Sequence, residues 1–152
     1  VKIAKFTKKL TLGEDSGLAC EALEGAPGIF SARFSGAAVT DEKNNEKLLK
    51  LFEKIPDNCR GAKFVSAAAL ALPDKLIGVV EGDVRGFIHR ELVGKNGFGY
   101  DPLFYYPPFK TTFGDVPPAQ KDAVSHRAKA LLKFKELLSS FLSQQSAIGG
   151  RQ

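Results

Sequence analysis

The 152 residues are 43% hydrophobic and 26% charged, the balance of one globular domain with a single core. The longest apolar run, residues 67–73, is far too short to span a bilayer. Two cysteines, Cys20 and Cys59, have no CxxC spacing and indicate neither a disulfide framework nor a zinc site, so a cytoplasmic location is expected. The net charge is +5, but the basic residues are dispersed and Lys8-Lys9 is their longest run. A localised anion site is expected, rather than a nucleic-acid clamp or a membrane surface.

Residues 1–9 read as the end of a helix whose start lies outside the sequence, with Lys8-Lys9 suited to a helix C-terminus. Residues 10–12 form a strand candidate. It runs into an acidic turn, Gly13-Glu14-Asp15-Ser16-Gly17, and a second extended piece over 18–23. Glu14 and Asp15 are the most metal-like feature of the chain. On a strand their side chains diverge, so one faces a site and the other does not. The alternative is a surface turn, since Asp, Ser and Gly are ordinary turn formers. Residues 25–28 read as a turn, and Arg33 beyond it is either near an anion or simply solvated.

Residues 40–55 form an amphipathic helix. Leu48, Leu51, Phe52 and Ile55 recur at helical spacing, Thr40 is the expected cap, Asp41 and Glu42 fill the first turn, and Pro56 ends it. This helix reads as scaffold with no catalytic signal. Residues 61–72 read as a strand buried on both faces, or as a buried helix given their alanine content. Residues 76–81 and 84–92 read as two strands joined by a Gly82-Asp83 hairpin turn, with His89 half-exposed and structural.

Gly97-Phe98-Gly99-Tyr100-Asp101-Pro102-Leu103-Phe104 reads as a loop closed by a strand. The glycines free the backbone, and Asp101 is held extended by the following proline. Such a loop suits a flat polar ring; a plain Gly-rich turn is the alternative. After a strand at 103–106 and an extended piece at 111–113, Pro117-Pro118 opens a helical region to about residue 142. If Ser125 caps a fresh helix there, His126 and Arg127 fall in a first turn, where free N–H groups welcome acceptors. If the helix is continuous, the pair is a basic surface face. Residues 143–152 are Ser/Gln/Gly-rich and are expected to be disordered. The element order gives a mixed α/β fold, with a curved mixed or antiparallel sheet packed by helices.

Four motifs occur in register: Glu14-Asp15-Ser16-Gly17-Leu18, residues 25–34, residues 97–104, and Ser125-His126-Arg127-Ala128-Lys129-Ala130. Through them the chain resembles the inosine triphosphate pyrophosphatase family over nearly its whole length. The resemblance implies an elongated twisted central sheet flanked by helices, with two lobes and a cleft. It implies hydrolysis of ITP, dITP and XTP to the monophosphate and pyrophosphate, a Mg²⁺ requirement and a homodimer. Residue by residue, it implies Asp15 as general base and metal-linked carboxylate, with Glu14 as a second metal carboxylate. It makes Ser16, Phe98, Gly99, Tyr100, Asp101 and Lys121 substrate contacts, with Phe98 stacked on the base, and His126 and Arg127 the pair that reads the purine.

The chain departs from the family in three places. The family's Asn- and Lys-containing phosphate loop and upstream metal glutamate have no counterpart here. Glu14 replaces the usual second Asp, and Pro117 stands where the family often has Ser or Thr. The alternative function is therefore a nucleotide-binding but inactive homologue or partner subunit.

Overall fold

The structure, a computed structural model, describes residues 1–37 and 39–149. Its centre is a five-stranded sheet in which each strand pairs antiparallel with the next in sequence. The strands are β1 (Thr11–Cys20), β2 (Gly61–Ala71), β3 (Leu76–Ile88), β4 (Phe104–Tyr106) and β5 (Thr111–Thr112). The helices are α1 (Lys2–Thr7), α2 (Asp41–Phe52), α3 (Pro118–Val124) and α4 (His126–Gly149). The mixed α/β reading holds, with an antiparallel sheet.

Two expected turns are absent because their glycines serve close packing instead. β1 runs unbroken through Glu14 and Asp15, pairing from Thr11↔Ala71 to Cys20↔Ala62. A Cβ at Gly17 would overlap the Gly28 carbonyl, so the glycine admits the 3-10 turn Gly28–Arg33 against the strand. β3 likewise runs straight through Gly82-Asp83. A Cβ at Gly82 would overlap the His126 carbonyl oxygen and the Ala130 nitrogen of α4, and one at Gly78 would press on Leu137. Glycines spaced by four fall on one face of a strand, and here that face receives the long helix. The segment 143–149, expected to be disordered, continues α4; residues 150–152 lie outside the described residues.

Alternation then divides the sheet. Phe64, Ser66, Ala68 and Leu70 of β2 point to the covered face and are buried, while Val65, Ala67 and Ala69 are only half-buried. The strand is therefore one-sided, not buried on both faces. Ala68, Leu70 and Phe134 form one apolar cluster under α4. The larger cluster joins Leu18, Leu48, Phe52, Phe64, Val84, Ile88 and Phe104. Burying each such large side chain contributes roughly 1.5–3 kcal/mol. Phe64 links this core to the cleft: its ring lies 4.6 Å from Phe104 and 4.9 Å from His126.

α2 starts at the expected cap, where the Thr40 hydroxyl accepts the Lys43 N–H at 3.3 Å. Its other end is tied down by Arg60. That buried guanidinium donates to the carbonyls of Phe52 (2.8 Å), Ile55 (3.3 Å), Ile88 (2.7 Å) and His89 (2.9 Å). The end of α2 and the end of β3 thus share one cation.

Candidate active site

A cleft of about 260 Å³ gathers the expected site residues. β1 supplies its floor with residues 14–18, Phe64 backs it, and the start of α4, the Gly97–Asp101 loop and the start of α2 form its walls. The break before α4 is real. Ser125 is extended, and its hydroxyl accepts the Ala128 N–H at 3.2 Å. This capping places His126 and Arg127 in the first turn of α4.

His126 is 4% exposed and stacks on Phe64 at an interplanar angle of 15°, and its Nδ1 has no hydrogen-bond partner. Burial, with the nearby charges of Arg127 and Lys121, pushes its pKa down to about 4. At neutral pH the ring is therefore uncharged and offers one donor and one acceptor. Arg127 donates from Nε to Glu14 Oε1 and to Ser16 Oγ, both at 3.2 Å.

Strand alternation sends Glu14 and Ser16 to the α4 face, where the Ser66 hydroxyl also donates to Glu14 Oε1 at 2.7 Å. Burial raises the Glu14 pKa, but the Ser16 and Ser66 hydroxyls and Arg127 outweigh it and leave it lowered. Asp15 stands on the exposed rim, and its Oδ1 accepts the Ser16 N–H at 3.0 Å. The two carboxylates diverge as expected of a strand, yet both border the cleft.

Phe98 is 57% exposed at the mouth. Lys121 Nζ lies 4.4 Å from its ring centroid and the Arg127 guanidinium carbon 5.3 Å. Two cations against one ring are attractive through the ring's quadrupole.

The remaining loop residues border the cleft while holding the loop itself. The Tyr100 hydroxyl donates to Ser31 O at 2.9 Å, and burial raises its pKa. Asp101, with a side chain 2% exposed, pairs with Lys121 and accepts the Phe98 N–H at 2.9 Å. Burial raises the Asp101 pKa despite the opposing pull of Lys121. Arg33 does not line the cleft; its guanidinium lies over Phe30. His89 is half-buried, with Nδ1 3.0 Å from the Glu91 carbonyl.

Sequence reasoning missed Asp41, Asn44 and Asn45. Asp41 and Asn44 line the cleft, and Asn45 donates to Gly99 O at 2.9 Å. The available signal was the Asn44-Asn45 pair on the buried stripe that continues through Leu48 and Phe52. Asparagine seldom stands on such a stripe without a partner to satisfy.

Glu14 and Asp15 are hard oxygen donors bordering the cleft, the donor type that divalent cations take together with phosphate oxygens and water. Among the described residues no group of three or more His, Cys, Asp or Glu could hold a metal. None of the helices is long and apolar enough to cross a membrane, again among the described residues.

The Ham1 family model matches residues 1–137. A dITP/XTP pyrophosphatase of Desulforamulus reducens is 48% identical over 93% of this chain and 71% of its own length. One of Listeria monocytogenes is 41% identical over 93% and 70%. Among solved structures, the Ham1 protein of Staphylococcus aureus superposes with a TM-score of 0.83 at 39% identity, over 95% of this chain and 72% of that one. The HAM1 protein of Coxiella burnetii gives 0.82 at 38%, over 90% and 73%. With that match spanning the sheet, the Phe98 loop and the first turn of α4, the chain belongs to the Ham1 family.

Proposed function

We propose that this chain hydrolyses deaminated purine nucleoside triphosphates, namely ITP, dITP and XTP, to the monophosphate and pyrophosphate. The observation that carries this reading is the cleft itself. An exposed ring, Phe98, stands beside Arg127 and Lys121, and strand β1 below them carries Glu14 and Asp15. The names of the dITP/XTP pyrophosphatase relatives support the same reaction.

In this mechanism Phe98 stacks on the base and Arg127 donates to its 6-oxo group. His126, held uncharged, supplies a further polar contact. Adenine presents an amino donor at that position and would leave the donors unpaired, a mismatch that can discriminate by ~10⁴-fold. Asp15 orients and deprotonates the attacking water, and the anhydride between the α- and β-phosphates breaks. Ser16 and Lys121 contact the nucleotide, as do Gly99, Tyr100 and Asp101 of the loop. Asp15 on the open rim, with Glu14 as the second carboxylate at the cleft, would hold Mg²⁺, which would supply neutralisation of phosphate charge. The reading takes the protein as a cytoplasmic homodimer that uses neither nucleic acid nor membrane as partner.

The test is pyrophosphate release from ITP, ATP and GTP with Mg²⁺. ITP-selective release is expected, abolished by Asp15→Asn with an unchanged melting temperature, because Asp15 is exposed. Equal turnover of ATP, or full activity of Asp15→Asn, would refute it. ITP binding without release would leave a nucleotide-binding protein.

A further inference from the structure

We propose that Asp41 and Asn45 are positioning residues that hold the Phe98 ring ready for the base. The inference rests on the base-stacking role of Phe98 given above. Gly97 and Gly99, on either side of the ring, both have positive φ, 76° and 60°. A peptide between such residues turns easily unless something holds it. Both polar groups of Gly99 are held from the first turns of α2. Its N–H donates to Asp41 Oδ2 at 2.6 Å, and its carbonyl accepts from Asn45 Nδ2 at 2.9 Å. The partners lie 58 and 54 residues apart in sequence.

Neither residue is needed to cap α2, because Thr40 does that. Asn45 is buried, and its Oδ1 has no partner. A half-satisfied buried amide costs stability that an apolar side chain would avoid. What the amide supplies here is the bond to Gly99. The other end of the loop is fixed by the Asp101 carboxylate on the Phe98 N–H. The ring is therefore clamped from both sides, by α2 and by the Asp101–Lys121 pair.

The clamp acts on the population of the base-ready loop. If its loss leaves that state about one-tenth populated, ITP binds about tenfold more weakly. The chain contains no tryptophan, so Phe98→Trp places a single reporter on the loop. Its fluorescence anisotropy without nucleotide is compared in that background alone and with Asp41→Ala, Asp41→Asn or Asn45→Leu added. The ITP dissociation constant is measured for the same α2 variants with Phe98 intact.

Asp41→Ala and Asn45→Leu are expected to lower the anisotropy of the folded protein and weaken ITP about tenfold. Asp41→Asn keeps an acceptor oxygen and is expected to restore most of both. Should Asp41→Ala fail to fold, Asn45→Leu carries the test. Unchanged anisotropy overturns the proposal, as does lowered anisotropy with unchanged ITP affinity. If the parent chain does not bind ITP, the base-holding role fails, and the anisotropy alone decides whether α2 clamps the loop.

Discussion

The buried, uncharged state of His126 makes a quantitative prediction. Its pKa falls from 6.5 to about 4, first through burial and then through Arg127 and Lys121, against an opposing pull from Glu14. Unfolding restores the ordinary value, so the unfolded chain binds a proton that the folded chain refuses between those two pH values. Stability is fully present above the unfolded pKa and falls as pH drops towards the folded one. The slope is at most about 1.4 kcal/mol per pH unit, or roughly 3 kcal/mol across the window. Replacement by Phe keeps the stack on Phe64 and removes the titration. Urea unfolding at neutral and acidic pH is the assay. The acid-induced loss in His126→Phe should be smaller than in the parent by that amount, a midpoint difference of roughly 1–2 M. Glu14, Asp101 and the other carboxylates titrate in both proteins and largely cancel in the comparison. Equal acid-induced losses in the two proteins would refute the assignment of a buried neutral ring.

Three further perturbations follow from the packing. Gly82→Ala places a methyl against the α4 backbone, which yields only by moving the helix start. A loss of about 1–3 kcal/mol in thermal or urea unfolding is expected, with reduced ITP turnover in the folded fraction because Arg127 moves too. Lys121→Met leaves the Asp101 carboxylate buried without its cation. At neutral pH this should cost about 3–5 kcal/mol, and less in acid, where protonation relieves the charge; urea titrations at both conditions measure it. Thr40→Ala removes the α2 cap and should cost about 1 kcal/mol, with Thr40→Ser restoring it.

What could be read from the sequence was set by local physics. Thr40 capping α2 and Ser125 capping α4 depend on neighbours three residues away, and both positions were legible. Gly17 and Gly82 were misread because glycine answers to two demands, a turn or a close approach. The deciding atoms are the Gly28 carbonyl and the start of α4, and the latter lies far along the chain. The Ser/Gln composition of residues 143–149 suggested disorder, yet the segment continues a long helix already packed on β2 and β3. The site motifs came together in one cleft, whereas the pairing of Asp41 and Asn45 with Gly99, 58 and 54 residues away, is found only by folding.

Arg60 changes how distance from the cleft should be judged. Its guanidinium grips the far end of α2, and a twelve-residue helix spans about 18 Å. The near end of the same helix holds Gly99. A stiff rod pinned at both ends tolerates little tilt at either. Position 60 thus resembles a tuning peg: a slackened grip there, as in Arg60→Ala, is expected to detune the Phe98 ring without changing any residue of the cleft.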